Sequence, residues 1–332
     1  MKDPAPVGIG LYGGNGHQIQ SLLDERPLAR LVAFAGLPRA ALTERQRCDP
    51  LVREYPDLDG LLQNPQVELV SLCSPRRADQ AQDALRCLAA GKHVYAEKPC
   101  AMTEEDLDRV IAAATRGPAR FHEQAGTAFW QPYRAMRAVM ESGVLGDVVQ
   151  VIAQKSYPYH DGRPQDEAVD GGLIMQAGVH GVRMVEHVAL QTIIEVQAFD
   201  TVWGNPRSGE LRMAATLMAR LANGGLAAIT ANYLNPPGFG RWGNDQLRIY
   251  GTRGMLESVD DGTRTRLIVG PEDRGPIAVT EPAVEYLDLY LRALRGLGTM
   301  PFSLEEELHP TRVVIRARAS AARFRTVTSP AG

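Results

Sequence analysis

The sequence predicts an α/β protein in which a parallel sheet flanked by helices is followed by a mostly antiparallel sheet. Its 332 residues are enough for two domains of about 100–200 residues each. Before Arg120, short apolar runs alternate with amphipathic stretches, as they do in βαβ units. After it, strands lengthen and alternate apolar with polar residues, which is typical of an antiparallel sheet with one covered face. We therefore expect two domains, 1–125 and 126–332.

The composition excludes several classes of partner. Lys and Arg number 36 and Asp and Glu 39, and the signs are mixed along the chain. No broad basic surface for nucleic acid or anionic lipid is therefore expected. The first residues lack the apolar core of a signal peptide, and no run of about 18 apolar residues occurs, so we expect a cytoplasmic protein without membrane partners. The 4 cysteines form no CxxC pair, which argues against a disulfide framework and against a metal site.

The first domain is predicted to alternate strands with helices. Residues 67–73 are nearly all apolar, as expected of a strand buried on both faces. Gly91 suits the end of one helix, and Thr103 followed by Asp106 suits the start of the next. The predicted strands are 7–12, 31–35, 67–73 and 92–96, and the predicted helices are 16–25, 39–47, 78–90 and 104–114.

The second domain is predicted to combine longer strands with helices that could cover one face of their sheet. Residues 235–240 are expected to form a loop, and those from Ser329 onward to fray. The C-terminal helix, 304–324, could pack back on the first domain. The predicted strands are 148–156, 211–221, 226–233 and 246–250, and the predicted helices are 131–142, 171–188, 281–295 and 304–324.

A glycine-rich turn lies between the first predicted strand and the first predicted helix. Gly13 and Gly14 would let the backbone approach a pyrophosphate, Gly16 would let helix and strand pack closely, and Asn15 could cap the helix. The spacing departs from GxGxxG, because Leu11 stands where the first glycine belongs. The turn predicts a dinucleotide site, and a plain strand-to-helix connection is the alternative.

The end of the second predicted strand bears on which dinucleotide would bind. An acidic residue about 20 positions after the turn normally holds the ribose 2′-hydroxyl of NAD, and residues 35–39 supply none. Gly36 would not repel a 2′-phosphate and Arg39 could reach one, unless Arg39 is only a solvated charge. The cofactor is therefore predicted to be NAD(P), with NADP favoured.

Two further segments carry candidate catalytic groups. Lys98 follows a predicted strand, at the strand end where ligands bind in open α/β sheets. His180 is the best candidate for a general acid or base, because its unperturbed pKa lies near neutrality. Gln176, four positions earlier, shares its helix face. Taken singly, a surface Glu-Lys pair and a structural histidine are the alternatives.

Together these segments resemble the Gfo/Idh/MocA oxidoreductase family over nearly the whole chain. The string from Gly91 to Pro99 is close to the family's most specific motif, and the segment from Asp170 to His180 resembles its histidine motif. The resemblance implies a Rossmann domain, with its doubly wound parallel sheet, followed by an α/β domain with an open, mostly antiparallel sheet. The family often uses the exposed face of that sheet to form dimers or tetramers. The other matching segments are 13–16, Ser74-Pro75, 129–132, 142–146, 250–254 and 304–327.

The resemblance also implies a reaction, the NAD(P)-dependent oxidation or reduction of a hydroxyl or ketone on a sugar, cyclitol or sugar nucleotide. Lys98 would be the active-site lysine and His180 the catalytic histidine. His180 would remove the hydroxyl proton while hydride leaves the same carbon, and Lys98 would stabilise the charge that develops on oxygen. The residues expected to border the cofactor are Ser74, Pro75, Arg76, Glu97 and Lys98, and those expected on the substrate side are Lys98, Tyr157, Tyr159, His160, Arg163, Gln176 and His180.

Several positions depart from the family pattern. Gln176 stands where the family usually has Asp, Arg183 replaces an acid, and Asp79 replaces a histidine. With Leu11 and Gly36, these departures leave two other interpretations open. One is an enzyme of the same fold that uses bound NAD transiently for elimination or glycoside cleavage. The other is a non-catalytic sensor of a cofactor or sugar.

Overall fold

The first part of the chain forms a parallel sheet. The computed structural model describes residues 4–323. The strands of this sheet are β1 (Val7–Tyr12), β2 (Ala29–Ala35), β3 (Arg53–Tyr55), β4 (Leu69–Leu72), β5 (His93–Ala96) and β6 (Phe121–Glu123). They lie in the order β3-β2-β1-β4-β5-β6, and all neighbouring pairs are parallel. This is the Rossmann order, so the predicted fold of the first domain is confirmed, and the order reverses between β1 and β4.

Two of the predicted helices between these strands differ clearly from the structure, and one further helix, Leu58–Leu62, was not predicted. The helices are α1 (Gln20–Leu23), α2 (Glu44–Cys48), α3 (Leu58–Leu62), α4 (Gln80–Ala89) and α5 (Glu104–Arg116). The predicted helix 16–25 is wrong at its start, because the chain stays irregular until Ile19. The predicted helix 39–47 is divided, because Leu42 is extended and the Thr43 side chain caps α2. Strands β3 and β6 have three residues each, too few for an alternating pattern to reveal.

The second part of the chain forms a mostly antiparallel sheet. Its strands are β7 (Val148–Ser156), β8 (Ile193–Thr201), β9 (Ala214–Leu221), β10 (Leu226–Asn232), β11 (Gln246–Gly251), β12 (Gly254–Val259), β13 (Arg264–Val269) and β14 (Glu272–Gly275). They lie in the order β14-β13-β12-β11-β7-β10-β9-β8, and of the neighbouring pairs described in this second sheet only β7–β10 is parallel. The predicted antiparallel character of this sheet is confirmed. The remaining helices are α6 (Tyr133–Glu141), α7 (Glu167–Asp170), α8 (Val179–Arg183), α9 (Tyr286–Leu294) and α10 (Leu304–Arg323).

Some strands of this sheet could not be predicted from the alternation of apolar and polar residues. A bulge between Ile193 and Glu195 breaks the alternation of β8, and β14 is charged at most positions. Their backbones are paired by neighbouring strands, and strand formation depends strongly on such neighbours. The sequence therefore revealed β7, β9, β10 and β11 but not β8 or β12 to β14.

The predicted helix 171–188 is not a uniform α-helix. Helix α8 is flanked by wide π-helical turns at Ile174–Gly178 and Met184–Val188. Turns of this kind occur mostly within α-helices and often at functional sites. The segment lies close to the inner face of the sheet at Gly181, where a Cβ atom would come within 2.4 Å of Cγ2 of Ile229. A side chain at this position would therefore displace a buried residue of β10.

The described residues divide into two compact units. The first combines the residues up to Ala125 with 168–171 and 285–309, and the second contains 126–167, 172–284 and the described residues from Pro310 onward. The first turn of α10 thus belongs to the first unit. There, buried Glu307 accepts a hydrogen bond of 2.6 Å from the Glu123 backbone N–H and another from the Tyr286 hydroxyl.

Two predictions concern residues outside the described range. The last residues of the C-terminal match, 324–327, and the fraying expected from Ser329 both fall after Arg323. Among residues 4–323, none of the helices combines the length and hydrophobicity that crossing a bilayer requires.

Candidate functional site

The glycine turn after β1 is shaped by backbone contacts. Gly13 has φ +71°, and a Cβ atom there would come within 2.0 Å of the Cys73 carbonyl oxygen. Gly14 is exposed, and a Cβ atom there would meet only Leu37, at 3.7 Å. Gly16 has φ +105°, and a Cβ atom there would press on Glu97 at 2.7 Å. A ligand could therefore approach the backbone closely at Gly14. Gly13 and Gly16 must be glycine for another reason, because other atoms of the protein occupy the space where a side chain would lie.

The turn differs from the predicted anion site in two respects. The helix predicted to begin at residue 16 begins at Gln20 and is four residues long, so the backbone N–H groups of residues 15–17 do not belong to a helix start. The amides of Asn15 and His17 donate to the Cys73 carbonyl and to Glu97 instead. The Asn15 side chain does not cap a helix; it donates to the carbonyls of Pro75 and Val169.

Leu11 does not obstruct the turn. It lies within β1, opposite Phe34 and Ser71, and its side chain is fully buried. The departure from GxGxxG therefore affects the strand interior and leaves the exposed backbone at Gly14 unchanged.

Buried amide side chains hold the turn in place. Gln18 donates to the carbonyls of Tyr12, Gly13 and Ser71. Gln80 donates to the Pro99 carbonyl at 3.0 Å and to the Glu97 carbonyl, while its Oε1 accepts from the Ser74 N–H. Sequence reasoning missed both glutamines, because their partners are backbone groups that no local pattern reveals.

The end of β2 places Gly36 beside the turn. Gly36 has φ +69°, and a Cβ atom there would lie 3.3 Å from the Gly13 nitrogen. Arg39, three residues later, donates to the Arg47 carbonyl at 3.0 Å and lies 3.8 Å from a Glu54 carboxylate oxygen. The guanidinium therefore has a carboxylate and a carbonyl as neighbours.

The segment after β4 is divided between buried and exposed residues. Ser74 is fully buried and its hydroxyl donates to Asp83 at 2.8 Å, whereas Pro75 and Arg76 are exposed. Arg77, which the sequence did not single out, is buried and donates to the Asn15 carbonyl at 2.8 Å. This segment thus connects β4 to the glycine turn.

Glu97 and Lys98 form a buried ion pair at the carboxyl end of β5. Glu97 Oε1 lies 3.5 Å from Lys98 Nζ, and both side chains are at most 2% exposed. Burial opposes ionisation of Glu97, but Lys98, His17 and Arg77 outweigh it and lower its pKa to about 2. The His17 backbone N–H donates to Glu97 Oε2, and His17 Nδ1 lies 3.2 Å from Oε1. One carboxylate therefore fixes both the end of the turn and the lysine.

His180 is buried in α8 of the second unit. Its Nδ1 lies 3.3 Å from the hydroxyl oxygen of Thr127, a residue that no sequence pattern indicated. One turn earlier, Gln176 accepts a hydrogen bond of 3.2 Å from the Tyr233 hydroxyl. Tyr233 continues the inward alternation of β10, which was a signal that sequence reasoning did not use.

The predicted substrate residues after β7 are partly brought together. Arg163 is buried, donates to the Pro158 carbonyl at 2.9 Å, and lies 3.6 Å above the Tyr233 ring. The same guanidinium is 5.9 Å from the Tyr157 ring, so Tyr157, Arg163 and Gln176 are connected through Tyr233. Tyr159 instead donates to Asp161 at 3.1 Å.

Within the described residues, no group of three or more His, Cys, Asp or Glu side chains is placed to hold a metal ion.

Comparison with known families matches both parts of the chain. Residues 5–124 match a family model described as an oxidoreductase family with an NAD-binding Rossmann fold. Residues 133–257 match the GFO/IDH/MocA C-terminal domain.

Individual relatives are distant. The chain is 22% identical to a myo-inositol 2-dehydrogenase of Thermotoga maritima, over 87% of this chain and 85% of the relative. It is 27% identical to a 1-carboxy-3-chloro-3,4-dihydroxycyclohexa-1,5-diene dehydrogenase of Comamonas testosteroni, over 72% of this chain and 62% of the relative. A solved aldose-aldose oxidoreductase from Caulobacter crescentus, in complex with glycerol, superposes with a TM-score of 0.78 at 21% identity, covering 98% of this chain and 100% of that one. This last likeness concerns the fold alone.

The lowered pKa of Glu97 makes a prediction about acid stability. A carboxyl whose pKa falls from 4.5 to about 2 on folding stabilises the folded state above pH 4.5, and that contribution is lost as the pH falls toward 2. Between about pH 5 and pH 2, the wild type should lose on the order of 3 kcal/mol more free energy of unfolding than Glu97→Gln. Urea unfolding at a series of pH values measures this difference.

A matched control is Glu105→Gln, which neutralises an exposed carboxylate in the first turn of α5. It should retain the pH dependence of the wild type. Parallel pH profiles for the wild type and Glu97→Gln would contradict the anchoring role of Glu97.

Proposed function

The chain belongs to the Gfo/Idh/MocA family of oxidoreductases, and from that premise we propose that it is an NAD(P)-dependent dehydrogenase or reductase. In this proposal it transfers a hydride between nicotinamide and a hydroxyl-bearing carbon of a sugar, cyclitol or sugar nucleotide. The observation that carries the proposal is the pairing of Lys98 with the ionised, buried Glu97 at the carboxyl end of β5. Ligands of open α/β sheets bind beyond this strand end.

Lys98 is proposed to stabilise charge on the reacting oxygen. The ion pair with Glu97 holds the Lys98 ammonium in place. A positioned ammonium is complementary to the partial negative charge on an alcohol oxygen that is losing its proton, and to a carbonyl oxygen in the reverse direction. The proposed role therefore does not depend on the direction of reaction.

His180 is proposed to move the proton. As the alcohol is oxidised, its O–H proton passes to the imidazole and its C–H hydrogen leaves as hydride, so that a carbonyl remains. Bound nicotinamide supplies the chemistry of accepting or donating that hydride. Thr127, 3.3 Å from His180 Nδ1, is proposed to orient the ring.

The cofactor is proposed to bind at the glycine turn. The exposed backbone at Gly14 fits the close approach of a pyrophosphate, and Asn15, Gly16, Pro75 and Arg76 adjoin it. Gly36 lies beside the turn, and the guanidinium of Arg39, three residues later, is proposed to reach the 2′-phosphate. On these grounds we propose that NADP is preferred to NAD.

Thermal unfolding with each reduced cofactor tests this part of the proposal. A ligand that binds only the folded state raises Tm, so NADPH should raise it more than NADH at equal concentration. Arg39→Ala should weaken NADPH binding about tenfold and leave NADH binding unchanged. Arg45→Ala is the matched control, because Arg45 is an exposed arginine that donates to the Asp24 carbonyl.

Two outcomes of this experiment would contradict the proposal, and each contradicts a different part of it. Equal shifts with both cofactors in the wild type and in Arg39→Ala would contradict the NADP preference. No shift with either cofactor would contradict the redox function itself.

Substitution of the two proposed catalytic groups tests the chemistry. Lys98→Ala and His180→Ala should keep the cofactor-induced rise in Tm but lower kcat at least about a hundredfold with any cyclitol or aldose that the wild type oxidises. Formation of reduced cofactor measures the rate. Lys92→Ala is the control lysine, since its ammonium donates to the Asn64 and Val67 carbonyls.

Unchanged rates in both variants would remove the proposed roles. Product formed by the wild type without any net reduced cofactor would favour transient use of bound NAD in elimination or glycoside cleavage instead.

A homodimer or homotetramer is also proposed, through the outer face of the second sheet. Ile152, Ala228 and Met218 lie side by side across β7, β10 and β9, and both large side chains of this row are exposed. Val149 and Leu226 extend the apolar surface. Exposed apolar patches of this kind mark protein interfaces.

Met218→Glu should weaken self-association at least about tenfold, because a charge would be buried without a partner. Light scattering after size-exclusion chromatography measures the mass. Leu51→Glu, at an exposed leucine of the first unit, should leave the mass unchanged. A wild-type protein that is monomeric at all concentrations tested would contradict the proposal.

A further inference from the structure

Tyr12 ends β1 beside the end of β2. It pairs with Ala35 across β1 and β2 and with Leu72 across β1 and β4, so strands hold its backbone on both sides. Its carbonyl accepts a hydrogen bond of 2.8 Å from the Cys73 N–H. The side chain is half-buried. Its ring therefore lies on an anchored backbone at the carboxyl end of a central strand, which is where open α/β sheets bind their ligands.

The Tyr12 ring borders the space that a side chain at position 36 would need. Gly36 directly follows Ala35, and a Cβ atom there would lie 3.3 Å from Tyr12 Cε2 and 3.3 Å from the Gly13 nitrogen. Both distances are shorter than an optimal van der Waals contact. Gly36 also has φ +69°, in the left-handed region that residues with a side chain seldom adopt. Backbone and ring therefore both disfavour a side chain at this position.

Position 36 is also where a nucleotide-binding acid would stand. The end of β2 normally carries an acidic residue that accepts a hydrogen bond from the ribose of NAD. Residues 35–39 contain no acid. The structure adds a physical reason for this at position 36, because the side chain of such an acid would begin against the Tyr12 ring.

The Tyr12 hydroxyl brings no negative charge to this position. Burial, followed by the charge of Asp83, raises the pKa of the hydroxyl above its usual value, so it is protonated near neutral pH. A neutral phenol does not repel a phosphate. It also lacks the charge that strengthens the hydrogen bonds between a carboxylate and ribose hydroxyls.

We infer that Tyr12 is a specificity-determining residue for the cofactor: its ring occupies the side of Gly36 that a ribose-binding carboxylate would need, and so favours a 2′-phosphorylated adenosine. The inference rests on the proposed function and deepens its choice of NADP, because it assigns the discrimination against NAD to a residue outside 35–39. Arg39 would attract the phosphate, whereas Tyr12 excludes the group that would hold the competing ribose. Specificity commonly combines an attractive group with an element that excludes the competitor.

The stability of the protein without cofactor tests the crowding at position 36. The control is Gly91→Asp, because Gly91 is also left-handed, at φ +72°, but a Cβ atom there would meet nothing within 4 Å. Gly36→Asp should lower Tm about 2–4 °C more than Gly91→Asp does. In the Tyr12→Ala background, the same substitution at position 36 should cost no more than Gly91→Asp. Thermal unfolding followed by circular dichroism measures these shifts.

Isothermal titration calorimetry with NADPH and NADH tests the specificity. The wild type should bind NADPH at least about tenfold more tightly than NADH. Gly36→Asp should weaken NADPH binding, because a carboxylate repels the phosphate, without improving NADH binding. Tyr12→Ala/Gly36→Asp should bind NADH about tenfold more tightly than Gly36→Asp does, since the carboxylate is no longer obstructed. Tyr12→Phe should keep the wild-type ratio, and Gly91→Asp should bind both cofactors as the wild type does.

Four results would overturn the inference. They are equal losses of Tm in Gly36→Asp and Gly91→Asp, a tenfold gain in NADH affinity from Gly36→Asp alone, equal NADH affinities of Gly36→Asp and Tyr12→Ala/Gly36→Asp, and tighter binding of NADH than of NADPH by the wild type. Failure of the proposed function is a different result, in which the wild type binds neither cofactor, and it would remove the inference as well.

Discussion

The candidate site in the first unit depends on one buried charge. A carboxylate that is removed from water is tolerated only when cations and hydrogen-bond donors surround it, and Glu97 obtains these from Lys98, His17 and Arg77. The same contacts fix the last part of the glycine turn against the end of β5. Gly16 belongs to this arrangement, because any side chain there would displace the carboxylate. The Glu97 carboxylate, which must be surrounded by cations and donors, thus holds both the glycine turn and Lys98 in place.

In the second unit, one tyrosine contacts both Gln176 and Arg163. Gln176 accepts the Tyr233 hydroxyl, and the Tyr233 ring carries the Arg163 guanidinium on its face. An amide at position 176 has no charge to neutralise, so the neighbouring polar groups can be satisfied by a phenol and a π surface. Gln176, at a position where the family usually has Asp, therefore accepts its hydrogen bond from a phenol one helical turn before His180.

Whether a site residue could be predicted from the sequence depends on how far along the chain its contacts lie. The glycine turn, Lys98 and His180 are visible in the sequence because each lies in a contiguous motif beside a predicted element. Gln18, Gln80 and Thr127 are not, because their roles depend on partners that are distant along the chain or on backbone carbonyls. The same limit explains the helix predicted over 16–25, whose first residues are instead held by contacts to Cys73 and Glu97.

The sequence by itself determined the parallel sheet followed by a mostly antiparallel one, the position of the turn, and the family to which the motifs belong. Those features depend on hydrophobic periodicity and on residues that allow particular backbone conformations, and both can be recognised from neighbouring residues in the sequence. Only the tertiary structure decided that Glu97 is ionised and enclosed, that Leu11 is confined to the strand interior, and that buried Asn235 holds the backbone carbonyls of Arg241 and Trp242. Burial and hydrogen bonding between distant segments exist only once the chain has folded, so no local pattern encodes them.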